Sequence, residues 1–151
     1  MFMKKLMFCA VLCGIVFAGS SAMAEKPLTP ESVKGATIVD DAFVKANHGK
    51  IKIYDVRMKA EYVESHIAGA ISVPYEEKSE LAVNFDASKD SFDLSKFPSD
   101  KNEQLIVYCN GPRCWKSYKA SVSLVKAGYK KVNWYRNDGY PGWKGKGYPV
   151  E

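Results

Sequence analysis

Gln104-Leu105-Ile106-Val107-Tyr108 reads as a strand with a continuous apolar run, in a chain of 151 residues. A strand wetted on one face alternates polar and apolar side chains. A run without alternation belongs in a sheet covered on both faces, as in parallel sheets whose crossovers are helices. The flanking sequence agrees. Residues 109–113 carry Gly111 and Pro112 and read as a loop. Residues 115–126 place Tyr118, Val122 and Val125 at i, i+4 and i+7, one face of a helix. Ala127-Gly128 is a helix stop, and residues 131–135 read as the next strand.

The same alternation runs upstream. Residues 37–39 are a short strand, and Asp40 is an N-cap for a helix over 41–47 that ends at His48-Gly49. Residues 50–54 alternate and are closed by Asp55-Val56-Arg57. A short helix over 59–65 precedes a strand over 70–73, stopped by Pro74. Residues 76–101 are charged and contain Pro98; they read as a long surface connection, with some helical pattern over 77–83 and little core. After the turn at Asn137-Asp138-Gly139 the chain reads as a Gly-rich tail. The expected architecture is α/β: one domain, a central parallel sheet of about five strands, and helices on both faces.

The first residues read as a targeting signal. Lys4 and Lys5 precede an apolar run over 6–18, and Ala22-Met23-Ala24 is a small-x-small site before the polar Glu25-Lys26-Pro27. This order predicts a signal peptide over 1–24, a domain over 25–151, and a periplasmic or secreted protein. A retained anchor is the alternative, but the run falls short of the ~20 residues that span a bilayer. No stable membrane anchor is therefore expected after cleavage. The net charge of +5 is scattered without a basic block, which argues against a nucleic-acid partner. Of four cysteines, Cys9 and Cys13 leave with the signal. Cys109 and Cys114 remain, in a compartment that favours disulfides. His48 and His66 do not join them at zinc spacing, so neither a metal nor another cofactor is expected.

Ligand sites in parallel sheets lie beyond the carboxyl ends of strands, and Cys109 falls there. The short turn from Cys109 to the helix at Trp115 can converge several amides and a helix N-terminus on one point, an anion cradle. A thiolate at its centre is stabilised, and its pKa falls below the free value of about 8.5. Arg113 adds a positive charge at the rim. Such a cysteine is a nucleophile at neutral pH. The plainer alternative is a buried core cysteine at a strand end; taken alone, the loop says only that the thiol is reactive.

Three stretches resemble the rhodanese family, in family order. Ile53-Tyr54-Asp55-Val56-Arg57 with Glu61-Tyr62 and His66-Ile67-Ala68-Gly69-Ala70-Ile71 is similar to its first signature. Val107-Tyr108-Cys109-Asn110-Gly111-Pro112-Arg113 is similar to its active-site loop, and Gly139-Tyr140-Pro141-Gly142-Trp143 through Gly147-Tyr148-Pro149-Val150 to its closing motif. The resemblance implies a rhodanese-like fold and a sulfurtransferase. Cys109 would take a sulfane sulfur from a donor such as thiosulfate and pass it to a thiol, cyanide or a protein acceptor. The loop over Asn110, Gly111, Pro112, Arg113, Cys114 and Trp115 would bind the substrate, its amides holding the negative terminal sulfur. Asp55 and Arg57 would tie neighbouring loops to the site.

Departures from the family pattern are mild in the first signature, where Ser65 precedes and Ala68 follows His66-Ile67, and larger in the loop and the closing motif. Glycine comes one position early, Pro112 removes an amide donor, Cys-Trp follows Arg113, and Asp138 stands where the closing motif has its first glycine. The Cys-Trp ending is also similar to a group of exported rhodanese-like proteins, whose two cysteines are closer together. Phosphatases of related fold use a longer loop, so the short one here disfavours phosphate or arsenate. Trp115 has the best chance of shaping the site mouth; Trp134, Trp143 and Tyr148 read as packing, His66 as a turn stabiliser, and His48 as a helix-terminal residue. If the amides point inward at Cys109, the Cys114 sulfur faces away or sideways. The two sulfurs would then be unbonded in the resting reduced protein, and joining them would require the loop to rearrange. A second reading is a redox or sulfur-relay module using Cys109 and Cys114 as a reversible dithiol/disulfide pair. A third is a non-catalytic binding domain.

Overall fold

The computed structural model describes residues 24–151. The predicted signal peptide, but for Ala24, lies outside the described residues. The sheet has five strands: β1 (Ala36–Val39), β2 (Lys52–Asp55), β3 (Ile71–Ser72), β4 (Leu105–Tyr108) and β5 (Val132–Tyr135). Their order is β1-β5-β4-β2-β3, and every neighbouring pair is parallel. Asp55 pairs with Tyr108, and Tyr108 with Tyr135. The carboxyl ends of β2, β4 and β5 therefore lie level, with Cys109 emerging between Val56 and Arg136.

The helices are α1 (Asp41–Asn47), α2 (Lys59–Glu64), α3 (Trp115–Lys126) and α4 (Gly139–Gly145). The pleat of β4 sorts its side chains between the two faces. Ile106 and Tyr108 face a core with Val44 of α1 and Trp143 of α4. Leu105 and Val107 face one with Ala120 and Leu124 of α3. All four β4 residues are buried, as the unbroken run requires. Asp40 caps α1, its carboxylate accepting from the Phe43 N–H at 2.8 Å.

Three expectations are corrected. The buried face of α3 is centred on Ser117, Ala120, Ser121 and Leu124, with Val122 half-buried on its flank. The serines hide that face from an apolar count. Ser121 bonds the Ser117 carbonyl at 2.8 Å, and the Trp134 indole donates to the Ser117 hydroxyl at 3.0 Å, so both polar groups are satisfied where they are buried.

Residues 77–83 form no α-helix, and the long connection contributes real core. Its regular structure is two short 3₁₀ turns, Ala87–Lys89 and Leu94–Lys96. Phe97 stacks on Tyr54 with centroids 4.3 Å apart, and Phe92 packs on Tyr75 at 5.1 Å. These aromatics recur without a period, so periodicity does not reveal them. A polar knot closes the segment. Asp90 accepts from the Lys78 and Ser79 amides at 2.7 Å each, the Ser79 hydroxyl at 2.6 Å and the Tyr75 hydroxyl at 2.8 Å. Fully buried Lys119 of α3 reaches Ser79 Oγ at 2.8 Å and Glu77 at 3.1 Å.

The Gly-rich tail begins as a helix, α4, whose Trp143 is fully buried. The chain then returns to the segment between α2 and β3, where His66 and Glu151 exchange backbone hydrogen bonds of 2.8 and 3.0 Å.

Candidate active site

Cys109 is 1% exposed, at the carboxyl end of the central strand. Its carbonyl accepts from the Tyr140 N–H at 2.9 Å, which ties the base of the loop to α4. Gly139 makes this approach possible. A Cβ there would lie 2.5 Å from both the Cys109 carbonyl oxygen and the Gly111 nitrogen, and the residue has φ +54°. Gly111 has φ +102°, a conformation that favours glycine.

That conformation folds the loop back. The Cys114 N–H donates to the Gly111 carbonyl at 3.0 Å, and Cys114 comes to rest over Cys109. The two form a disulfide with Cα atoms 6.1 Å apart, inside the usual range of about 4.4–6.8 Å. The expectation of a Cys114 sulfur turned away is thus corrected: the Gly111 turn brings the sulfurs together within the folded loop. Pro112 has no N–H and the Cys114 amide is committed to the turn, so the cradle has fewer donors than a loop of this length allows. Among the described residues, no backbone hydrogen bond engages the amides of Asn110, Gly111 or Arg113.

A cavity of about 420 Å³ opens over the loop, lined by Lys26, Met58, Glu61, Cys109, Asn110, Arg113, Cys114 and Lys116. Three cations and one acid give it a positive balance. A second cavity, of about 560 Å³, lies at the amino end of β2 around His48 and Glu151, on the far edge of the sheet from Cys109. There the His48 ring contacts the Ala68 carbonyl at 2.7 Å, a packing role.

Of the loop residues expected to bind substrate, Asn110, Arg113 and Cys114 line the Cys109 cavity; Gly111, Pro112 and Trp115 do not. Gly111 supplies the turn. The Pro112 carbonyl accepts from the Thr29 amide and hydroxyl, both at 2.8 Å. Trp115 is 4% exposed in a core with Tyr118 and Trp134, and its indole donates to the Pro27 carbonyl at 2.9 Å. The expected mouth residue instead anchors the segment over 25–29 as a strap across the loop. Arg113 meets the same strap, through the Lys26 carbonyl at 2.5 Å and the Glu25 carboxylate at 3.0 Å. Arg136 holds it from below, its Nε donating to Thr29 Oγ1 at 3.0 Å and its terminal nitrogen to the Thr29 carbonyl at 2.7 Å.

Asp55 and Arg57 lie side by side beneath the loop, 0% and 3% exposed. Arg57 grips Asp55 through Nε at 3.0 Å and a terminal nitrogen at 2.6 Å, and that nitrogen also reaches the Ser65 carbonyl at 2.8 Å. The guanidinium lies 3.9 Å from the Tyr140 ring centroid. Tyr108, the residue before Cys109, donates its hydroxyl to Asp55 at 2.5 Å. Burial, then the Asp55 charge, pushes the Tyr108 phenol far above its ordinary pKa. It therefore stays a proton donor to Asp55.

Sequence reasoning missed four contributors. Glu61, present in the first motif but given no role, accepts from the Asn110 side-chain amide at 2.5 Å and from the Met58 N–H at 3.0 Å. It fixes α2 against the loop. Lys116 had a signal: a lysine in the first turn opposes the helix dipole, and it bonds the Tyr75 carbonyl at 2.9 Å beside the cavity. Lys26 and Arg136 had none, since the strap's path over the loop is tertiary.

The chain is 31% identical over 130 residues to the chloroplastic thiosulfate sulfurtransferase 16 of Arabidopsis thaliana, covering 85% of this chain and 99% of that one. It is 29% identical over 126 residues to the mitochondrial protein HIGH ARSENIC CONTENT 1 of the same plant, covering 82% and 69%. A crystal structure of a Bacillus halodurans protein superposes with a TM-score of 0.58 at 25% identity, covering 78% of each chain. The sequence model described as "Rhodanese-like domain" matches residues 40–146, from the α1 cap through the cysteine loop to the end of α4. The matched stretch spans both the cysteine at the end of the central parallel strand and the glycine start of α4, and the chain belongs to the rhodanese-like domain family.

Proposed function

We propose that the protein is a sulfurtransferase of the bacterial envelope that carries sulfane sulfur on Cys109. The observation that carries this reading is a buried cysteine at the carboxyl end of the central strand, opening into a cavity lined by Lys26, Arg113 and Lys116. A small dianion such as thiosulfate matches that charge. The Cys109 thiolate attacks the outer, sulfane sulfur of the donor. The new bond joins Cys109 to that sulfur, the old sulfur–sulfur bond breaks, and sulfite leaves with the electron pair. The terminal sulfur of the persulfide is anionic and is held by the loop amides and the cavity cations. A thiol, cyanide or protein acceptor then removes it. The similarity to a thiosulfate sulfurtransferase along nearly the whole of that relative supports the reaction class. The charge, apolar run and small-x-small order of the first residues supports the location.

The Cys109–Cys114 bond favours a second reading, a dithiol/disulfide module that moves electrons and carries no sulfur. One assay separates the two. Reduced protein given thiosulfate and cyanide should release sulfite and thiocyanate, and Cys109→Ser should release neither. Silence from the reduced wild type, with its cysteines still cycling between dithiol and disulfide, would establish the second reading instead.

A further inference from the structure

Resting on that sulfurtransferase reading, we propose that Cys114 is the resolving nucleophile: its sulfur attacks Cys109 of the persulfide and expels the carried sulfur as sulfide. Cys109 is buried, whereas Cys114 is half-buried on the cavity rim between Arg113 and Trp115. The Gly111–Cys114 turn holds the Cys114 backbone above Cys109, and the disulfide shows that its sulfur reaches the inner sulfur of Cys109 in the folded loop. The strap braces the outside of the same turn at Pro112. An external acceptor has to enter the cavity and reach a buried atom. Cys114 is already there, and even short flexible links give effective concentrations of about millimolar. A held turn raises that further.

The step is thiol–disulfide exchange. The Cys114 thiol loses its proton and its sulfur attacks Sγ of Cys109. The Cys109–sulfane bond breaks, and the sulfane sulfur leaves with the electron pair and takes up the proton as HS⁻. The disulfide remains. Sulfur is reduced and the two cysteines are oxidised by the same two electrons. A protein dithiol restores them by attacking the more accessible sulfur, Cys114, so that Cys109 leaves as the thiolate that begins the next turn. The net reaction takes thiosulfate and a dithiol to sulfite, HS⁻, a proton and a disulfide. The activity is therefore a dithiol-driven release of sulfide, and the disulfide is an intermediate in it.

A single-turnover experiment tests this. Reduced protein, freed of small thiols and kept without oxygen, receives one equivalent of thiosulfate labelled at the sulfane sulfur. Sulfite, labelled sulfide, free thiols and protein mass are followed. The expected wild-type result is one sulfite and one labelled sulfide per chain, both thiols lost, and no added sulfur on the protein. Cys114→Ser and Cys114→Ala should each yield sulfite, almost no sulfide, and an extra sulfur atom retained on Cys109. A wild type that keeps the persulfide and releases no sulfide would overturn the proposal and leave the sulfurtransferase reading standing. Equal sulfide from wild type and both variants would overturn it too, because Cys114 would then be dispensable. No sulfite from any form would defeat the sulfurtransferase reading, and the proposal with it.

Discussion

Gly139→Ala should damage both the fold and the cysteine loop, by amounts the geometry sets. The new Cβ would lie 2.5 Å from two backbone atoms of the loop, the Cys109 oxygen and the Gly111 nitrogen, and 3.1 Å from the Asn110 carbonyl carbon. Backbone cannot rotate aside as a side-chain tip can, so the loop or α4 has to move. Overpacking of this kind costs about 1–3 kcal/mol, and alanine at φ +54° adds about 1 kcal/mol or more. A total near 3 kcal/mol corresponds to a fall of about 10 °C in Tm for a domain of this size. The loop it displaces carries Cys109, so thiosulfate:cyanide transfer should fall about tenfold or more in protein that is still folded. Gly145→Ala is the control. Nothing lies within 4 Å of its Cβ, and helical Gly→Ala gains up to about 1 kcal/mol. Thermal melts and transfer rates of both variants, all in excess reductant, make the comparison. A Gly139→Ala protein that melts within about 2 °C of the wild type and keeps its rate would refute the claim that this contact sets the loop.

Arg57→Ala leaves Asp55 buried without its partner and should destabilise by about 3–5 kcal/mol in urea unfolding; a loss below about 1 kcal/mol would mean that the pair does not brace the site. Asp90 has its carboxyl held down to about 2: burial opposes ionisation, but hydrogen bonds from Ser79, Lys78 and Tyr75 overcome it. Its contribution, about 2 kcal/mol, is present in full above about pH 4 and is lost as pH falls through about 2. Asp90→Asn should therefore be less stable at neutral pH, and the difference should close in acid. Arg113→Ala should raise KM for thiosulfate by roughly three- to tenfold at low ionic strength, and by less in salt, because a half-exposed charge is screened; an unchanged KM would remove Arg113 from donor binding.

The elements legible in the sequence were those whose own residues decide them. The apolar run of β4, the Asp40 cap and the span of α3 depend on local pattern and appear where expected. Residues 76–101 and α4 were misread for opposite reasons. The first packs Phe85, Phe92 and Phe97 at irregular intervals, so no period announces a core. The second is written in glycines, which read as loop. Yet Gly139 is glycine because its neighbour is the cysteine loop, and Trp143 keeps the helix docked.

The cysteine loop was legible as a turn between β4 and α3 and misread in its geometry, and the reason bears on the proposed function. Inward-pointing amides were expected to drive the Cys114 side chain outward. That inference assumes a loop in which every amide faces the sulfur. Pro112 supplies none, and the Cys114 amide is spent on the Gly111 carbonyl. Pro112 and the Gly111–Cys114 turn thus exchange two donors that would stabilise a resting persulfide for a bend that places a second thiol beside Cys109. A loop made to store sulfur would gain from more donors. A loop made to discharge it gains from a neighbouring nucleophile. On the proposed mechanism, Pro112, the early Gly111 and Cys114 act in one direction, toward a short-lived persulfide. On that mechanism the two cysteines need a reductant more than they need an external sulfur acceptor.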